Sequence, residues 1–245
     1  MNPISRGNLG ESPLAVYPNG VLTLDGRQVI FMRVKLIARL CADIAQEFPM
    51  ASHKILSDAG RELGHDYATD WILMHMPIAR NRMVTLPSDI AQLGAQYEQL
   101  ENQVDAGSMD PGLLQQEERI SQEIRTRLAA WLKQQSDEQI QTMWRQLLEL
   151  DIYGGWGNAQ LTQFNRANPS ARIEITASFL ARPAHVWQKH NIHGRPVCDL
   201  LAGYLAGQAM VLFANDEIGC VESHCRLEGA TACTFVISHA ESLPK

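Results

Sequence analysis

Between Cys220 and Cys233 the chain reads Cys-Val-Glu-Ser-His-Cys-Arg-Leu-Glu-Gly-Ala-Thr-Ala-Cys, and this run constrains the fold more than any other. Gly229 lies midway between Cys225 and Cys233, so a turn centred there sets the two cysteines opposite each other on a hairpin. Directly opposed side chains on paired strands have Cβ atoms about 4.5–5.5 Å apart. Two thiolates so placed can share a zinc ion at about 2.3 Å each, and tetrahedral zinc then needs two more ligands. Glu222 supplies a carboxylate oxygen if the strand bulges before Cys225. Cys198, at the start of the preceding helix, supplies the fourth ligand, and a helix N-terminus there favours its thiolate. Two readings fit this spacing: a four-ligand metal site, or small core hydrophobes, since free cysteine is often buried. His224 is a rival ligand, but alternation along a strand points it away from Cys225. Cys220 shares the parity of Glu222 and reads as a spare ligand or a core residue. Cys41, alone in a helix, reads as packing.

The N-terminal run lacks the apolar stretch of a signal peptide. The longest apolar stretch, Leu200 to Phe213, is interrupted by Gln208 and is too short to span a bilayer; it reads as a buried helix. A cytoplasmic protein is therefore expected, with its five cysteines reduced. Their clustering then needs a reason other than disulfides. With 245 residues, 45% hydrophobic and 20% charged, the chain can build one full core or two small ones. A formal net charge of −6 with no Lys/Arg cluster argues against nucleic acid or a membrane surface as the partner.

The pattern along the chain predicts an α+β fold, an antiparallel sheet packed with helices and an added helical segment. Residues 1–19 are expected to form a flexible arm. Residues 20–87 open with a hairpin, Val21–Leu24 and Val29–Met32 around Asp25-Gly26, followed by a helix over 34–48. A second helix starts near Ser52 and carries Ile55, Leu56, Ala59 and Leu63 at helical spacing. Gly60 and Gly64, one turn apart on it, fit either close approach of a neighbouring helix or two tolerated glycines. Residues 88–150 read as three helices. The first carries Ile90, Leu93, Tyr97, Leu100 and Val104 on one stripe. The second is opened by Asp110-Pro111, and the third by a capping box of Ser136 and Gln139. Their stripes serve core packing, a dimer interface or a lid. Residues 151–240 then alternate as strands over 159–164 and 172–179, a helix over 197–213, and strands over 217–227 and 232–238.

Pro196-Val197-Cys198, Gly203-Tyr204-Leu205-Ala206-Gly207 and the set Glu222, Cys225, Cys233 and Phe235 resemble the 4-vinyl reductase domain family. The resemblance is close over 154–238 and looser over 21–75; the helices at 88–150 have no counterpart in it. That family includes the sensor half of phenol- and xylene-responsive activators, a bacteriochlorophyll biosynthesis protein and stand-alone hydrocarbon-binding proteins. The resemblance implies an α+β fold related to the transport-particle (TRAPP) subunit fold, and a homodimer. It also implies a structural zinc ion held by Cys198, Glu222, Cys225 and Cys233, beside an apolar pocket for an aromatic ligand. Its candidate pocket residues here are Trp156, Phe179, His185, Trp187 and Tyr204. Where the sensors carry a pocket tryptophan after a strand serine, this chain has Phe179 after Ser178. That removes an indole N–H donor and argues against phenol itself.

The activators also carry an ATPase and a DNA-binding module, and no Walker A loop or basic C-terminal segment is present in this sequence. No nucleotide, flavin, serine-hydrolase or zinc-protease motif appears either, and the run Gly154-Gly155-Trp156-Gly157 precedes a strand, where phosphate loops open a helix. The expectation is a zinc-containing, sensor-like protein that binds a hydrophobic or aromatic small molecule and signals to a partner protein. The alternatives are an accessory protein or enzyme of tetrapyrrole metabolism, and a structural adaptor.

Overall fold

The computed structural model describes residues 14–16, 22–24, 27–29, 34–75, 85–105, 110–153, 156–181, 184–189 and 198–243. Three short antiparallel strands come first: β1 (Leu14–Val16), β2 (Leu22–Leu24) and β3 (Arg27–Val29). The pairs Leu22↔Val29 and Leu24↔Arg27 bracket Asp25-Gly26, the register expected of that hairpin. β1 lies within the residues expected to form the arm; the rest of the arm, and Val21 and Ile30–Met32 of the hairpin, lie outside the described residues.

Helices α1 (Val34–Glu47) and α2 (Ser52–His75) follow. The apolar spacing on α2 points to the wrong face as its core. Ile55, Ala59 and Leu63 face outward, while Ser52, Leu56, Gly60, Gly64, Ala68 and Ile72 are buried. The reason is the partner. Helix α7 (Asp199–Phe213) is buried almost all round, as a core helix must be when it has no polar face. It runs parallel to α2, with His53 bonded to Asp199 at 2.9 Å where both begin. Two glycine pairs interlock. A Cβ on Gly60 would strike the Leu200 carbonyl, and one on Gly64 the Tyr204 carbonyl; one on Gly203 would strike Ser57, and one on Gly207 Arg61. The backbones touch, so only hydrogen fits at these four positions.

Helices α3 (Ser88–Asp105) and α4 (Pro111–Lys133) form a hairpin with a small core of their own. There Leu100, Ile120 and Ile124 are buried and Leu93 and Tyr97 pack against them. Asp110 caps α4 by accepting from the Gly112 N–H at 2.9 Å, with Pro111 in the first turn. Ser136 and Gln139 form the expected capping box at the start of α5 (Asp137–Tyr153): the Ser136 N–H donates to Gln139 Oε1 at 2.8 Å and the Gln139 N–H to Ser136 Oγ at 3.3 Å.

The main sheet has four antiparallel strands in the order β4-β5-β7-β6. They are β4 (Asn158–Asn165), β5 (Ser170–Thr176), β6 (Ile218–His224) and β7 (Cys233–His239). Ala171, Ile173 and Ile175 of β5 and Cys233, Phe235 and Ile237 of β7 point to one buried face. Trp144 of α5, Phe164 of β4 and Phe213 of α7 meet there, Phe164 and Phe213 stacked at 5.4 Å. Two expectations shift. β5 ends at Thr176 because Ala177 turns into the left-handed region (φ 57°). A short helix α6 (Ala184–Lys189) occupies a stretch without a clear period. The fold is α+β, and no helix among the described residues is long and apolar enough to cross a membrane.

Candidate metal centre and aromatic cluster

The hairpin β6–β7 builds most of the site. Glu222 pairs with Phe235 and His224 with Thr234, so the register slips by one residue between Glu222 and His224. Without that bulge, Glu222 and Cys225 would point to opposite faces. With it they face the same way. One turn of 3-10 helix, Arg226–Glu228, follows Cys225, and Gly229 closes it with φ 95°, a conformation that suits glycine. The backbone at Leu227 hydrogen-bonds to Cys225, and that at Arg226 to Cys233. Cys198 sits one residue ahead of α7, at its N-cap position.

One donor atom each from Cys198, Glu222, Cys225 and Cys233 lies within 4.8 Å of every other, and all four residues are buried. Such a cluster could hold a metal ion. The decisive detail is Glu222, 8% exposed, whose two carboxylate oxygens both lie buried with no hydrogen-bond partner. A buried carboxylate left so is costly unless a cation meets it. Three sulfurs and one carboxylate oxygen suit zinc in donor type and number, and leave no position for a reacting water.

Without a cation these groups compete for few charges. Burial pushes the Glu222 carboxyl up to about 8, helped by the charge of Cys225. Hydrogen bonding from Cys198, and then from Cys233, draws Cys225 toward thiolate and holds its pKa far below the usual thiol value. Cys198 goes the other way. Its bonds to Cys225 and Cys233 and its burial raise it well above the ordinary value, opposite to the lowering expected from the helix N-terminus. A bound cation would displace these protons.

His224 is exposed and its Nδ1 meets Ser223 Oγ at 3.1 Å, away from the cluster. Cys220 faces the core opposite Ile237, and Cys41 is buried on α1. Beside Cys198 lies Ser178, fully buried, its Oγ 4.0 Å from Cys198 Sγ.

Of the expected pocket residues, three come together. Trp156 stacks on Tyr204 with ring centroids 4.3 Å apart, and Phe179 meets Trp156 edge-on at 5.0 Å. Tyr67 of α2 adds a fourth ring at 5.9 Å from Tyr204. These rings touch one another, so side chains occupy the space between them. Trp187 is buried and its Nε1 donates to the Leu180 carbonyl at 2.8 Å. The His185 side chain lies outside the described residues. A cleft of about 680 Å³ lies elsewhere, between α2, α4 and the end of α7, and includes Arg61, His65, Arg125 and Lys133 in its walls.

Sequence reasoning missed a polar chain in this core. The Tyr204 hydroxyl donates to Asp151 Oδ1 at 2.6 Å, Gln208 Nε2 to Asp151 Oδ2 at 3.0 Å, and Trp144 Nε1 to Gln208 Oε1 at 3.2 Å. Burial pushes the Asp151 carboxyl up to about 7, against the two hydrogen bonds that lower it. The signal was Gln208, the one polar interruption of the apolar run, one turn after Tyr204.

No family model matches the sequence, and no curated protein matches it. Among solved structures, the fold is similar to the phenol-responsive sensory domain of the transcription activator PoxR, determined with phenol. The TM-score is 0.55 at 14% identity, covering 94% of this chain and 87% of that one. A trafficking protein particle complex subunit 3 from Naegleria fowleri, covalently bound to palmitic acid, aligns over 64% of this chain and 98% of its own at 14% identity. Its TM-score of 0.31 is below the level of a shared fold.

Proposed function

We propose that this protein is a zinc-containing, sensor-like module that binds a hydrophobic or aromatic small molecule, and that it belongs with the 4-vinyl reductase domain proteins. The observation that carries the metal half is the orphaned Glu222 carboxylate within 4.8 Å of three buried sulfurs. Zinc there is structural, clamping the β6–β7 hairpin to the start of α7. The ligand half is supported by the fold shared with a sensory domain solved with phenol, and the rings of Trp156, Phe179 and Tyr204, the last on that same helix, are where an aromatic ligand would insert. A reducing, cytoplasmic setting suits three thiolate ligands. The exposed apolar side chains Leu36, Leu40, Phe48, Met50, Ile55 and Leu63, on and between α1 and α2, support a homodimer.

Elemental analysis of protein purified without an affinity metal tests the first half. The expected result is about one zinc per chain, lost in Cys225→Ser; well-folded protein without zinc would refute it. The second half is tested by tryptophan fluorescence and thermal shift with a panel of aromatic compounds. A response lost in Trp156→Ala supports it. Silence across the panel favours the second reading, a structural adaptor, which the mutual contact of the rings also fits.

A further inference from the structure

We propose that Ser178 is a positioning residue of the metal centre, its hydroxyl donating to Cys198 Sγ and its neighbour Phe179 tying the aromatic cluster to that sulfur. The inference rests on the metal half of the proposed function and adds a residue outside the four ligands.

Ser178 is 0% exposed, and a hydroxyl so buried needs a partner. Cys198 Sγ, at 4.0 Å, is the partner it has. A neutral thiol gains little from that contact. A thiolate that ligates a cation gains more, because an O–H donor spreads its charge and fixes its orientation. The backbone bends beside the contact. Ala177 adopts φ 57°, uncommon for a residue with a Cβ, at the point where the chain leaves β5. Across the pair Asn158↔Thr176 stands Gly157 at φ 126°. A Cβ on Gly157 would lie 2.7 Å from Ile175 Cγ2 and 3.1 Å from Ser178 Cα. Two left-handed residues therefore hold Ser178 where it is.

The next residue carries the connection onward. The Phe179 N–H donates to the Trp156 carbonyl at 3.2 Å, and the Phe179 ring abuts the Trp156 indole. That indole stacks on Tyr204, which stands on the helix that Cys198 opens. Cys198, Ser178, Phe179, Trp156 and Tyr204 thus form a chain of contacts whose two ends are joined by the first turns of α7. A change in the stack that shifts the Phe179 backbone, hydrogen-bonded to Trp156, also shifts the adjoining Ser178 hydroxyl that faces the sulfur.

The experiment replaces zinc with cobalt(II) in the full chain and follows the thiolate-to-cobalt charge-transfer band and the affinity for the metal in chelator competition. Ser178→Ala, which removes one oxygen and little volume, should move the band to lower energy and weaken binding about tenfold. Trp156→Ala should shift the band in the Ser178 background and leave it unmoved in Ser178→Ala, a non-additivity that marks coupling. If Trp156→Ala does not fold, Trp156→Phe takes its place in the same cycle. An unchanged band and affinity in Ser178→Ala, with only a lower melting temperature, would overturn the proposal by making the hydroxyl mere packing. Equal Trp156 shifts in both backgrounds would overturn the coupling. Wild-type protein that takes up neither zinc nor cobalt would sink the metal reading itself, a result distinct from either of these.

Discussion

A single thiolate in the candidate centre has a larger expected effect than most core side chains. Removing Cys233 leaves three donors, one of them the buried Glu222 carboxylate, which is unmatched if the cation is then lost. Cys233→Ala should lower stability by at least about 3 kcal/mol, or roughly 10 °C in a chain of this size, measured by calorimetry on metal-loaded protein. An unchanged melting temperature would remove any structural role for the metal. Asp151 makes a different prediction. Its carboxyl is raised from 3.8 to about 7, so the folded state holds the proton more tightly than the unfolded chain does. Its favourable contribution is complete below the lower value and is lost as pH rises through the higher one. The cumulative loss is on the order of 4 kcal/mol. Asp151→Asn cannot ionise, so its stability relative to wild type should rise as pH increases from about 4 to about 7. Urea melts of both proteins test this, and metal effects common to the two cancel. A flat difference would mean that the buried charge is compensated.

At the scale of elements, the α2–α7 contact is where a small change has the largest effect. Gly64→Ala or Gly203→Ala puts a methyl group onto a backbone carbonyl of the facing helix, which only separation of the helices relieves. Each should cost upward of about 3 kcal/mol. Gly112→Ala is the control, since its Cβ would meet only the Asp110 side chain at 3.3 Å, and it should stay within about 1 kcal/mol of wild type. What was legible in the sequence divides along the same line. The caps at Asp110 and Ser136 and the β6–β7 hairpin depend on spacing between near neighbours, or on one turn and one bulge, whereas Cys198 was joined to the hairpin donors by the family resemblance and not by spacing. The buried face of α2 was not legible, because its apolar stripe and its glycine stripe compete, and only the all-apolar α7, far along the chain, decides between them. The Asp151 chain showed only as the lone Gln208 in an apolar run, since its members come from two helices, α5 and α7. The pocket residues were named with partial success: Trp156, Phe179 and Tyr204 do meet, but on each other.

For the whole molecule, the apolar side chains left outside the core invite a partner. Met50 is 97% exposed and Leu36 and Leu40 share one side of α1. Sedimentation of the full chain should show a dimer, and Leu36→Glu with Leu40→Glu should shift it toward monomer with the metal content unchanged. A monomer in wild type would leave that surface for another protein.

The parallel pairing of α2 with α7 also governs the order in which the chain can mature. By residue 75 the ribosome has made a helix whose buried face sets two glycines and small side chains between Leu56 and Ile72, yet the surface that fits it is encoded from residue 199 onward. Everything between must be synthesised while that face waits uncovered, a long-range closure of the kind that slows folding and exposes a nascent chain to misassembly. The helix that covers it opens at Cys198, and Glu222, Cys225 and Cys233 emerge directly after it. Closing the helix pair and gathering the four candidate metal donors are therefore both late events, and a chain released before Cys233 can pair the helices but lacks the last donor.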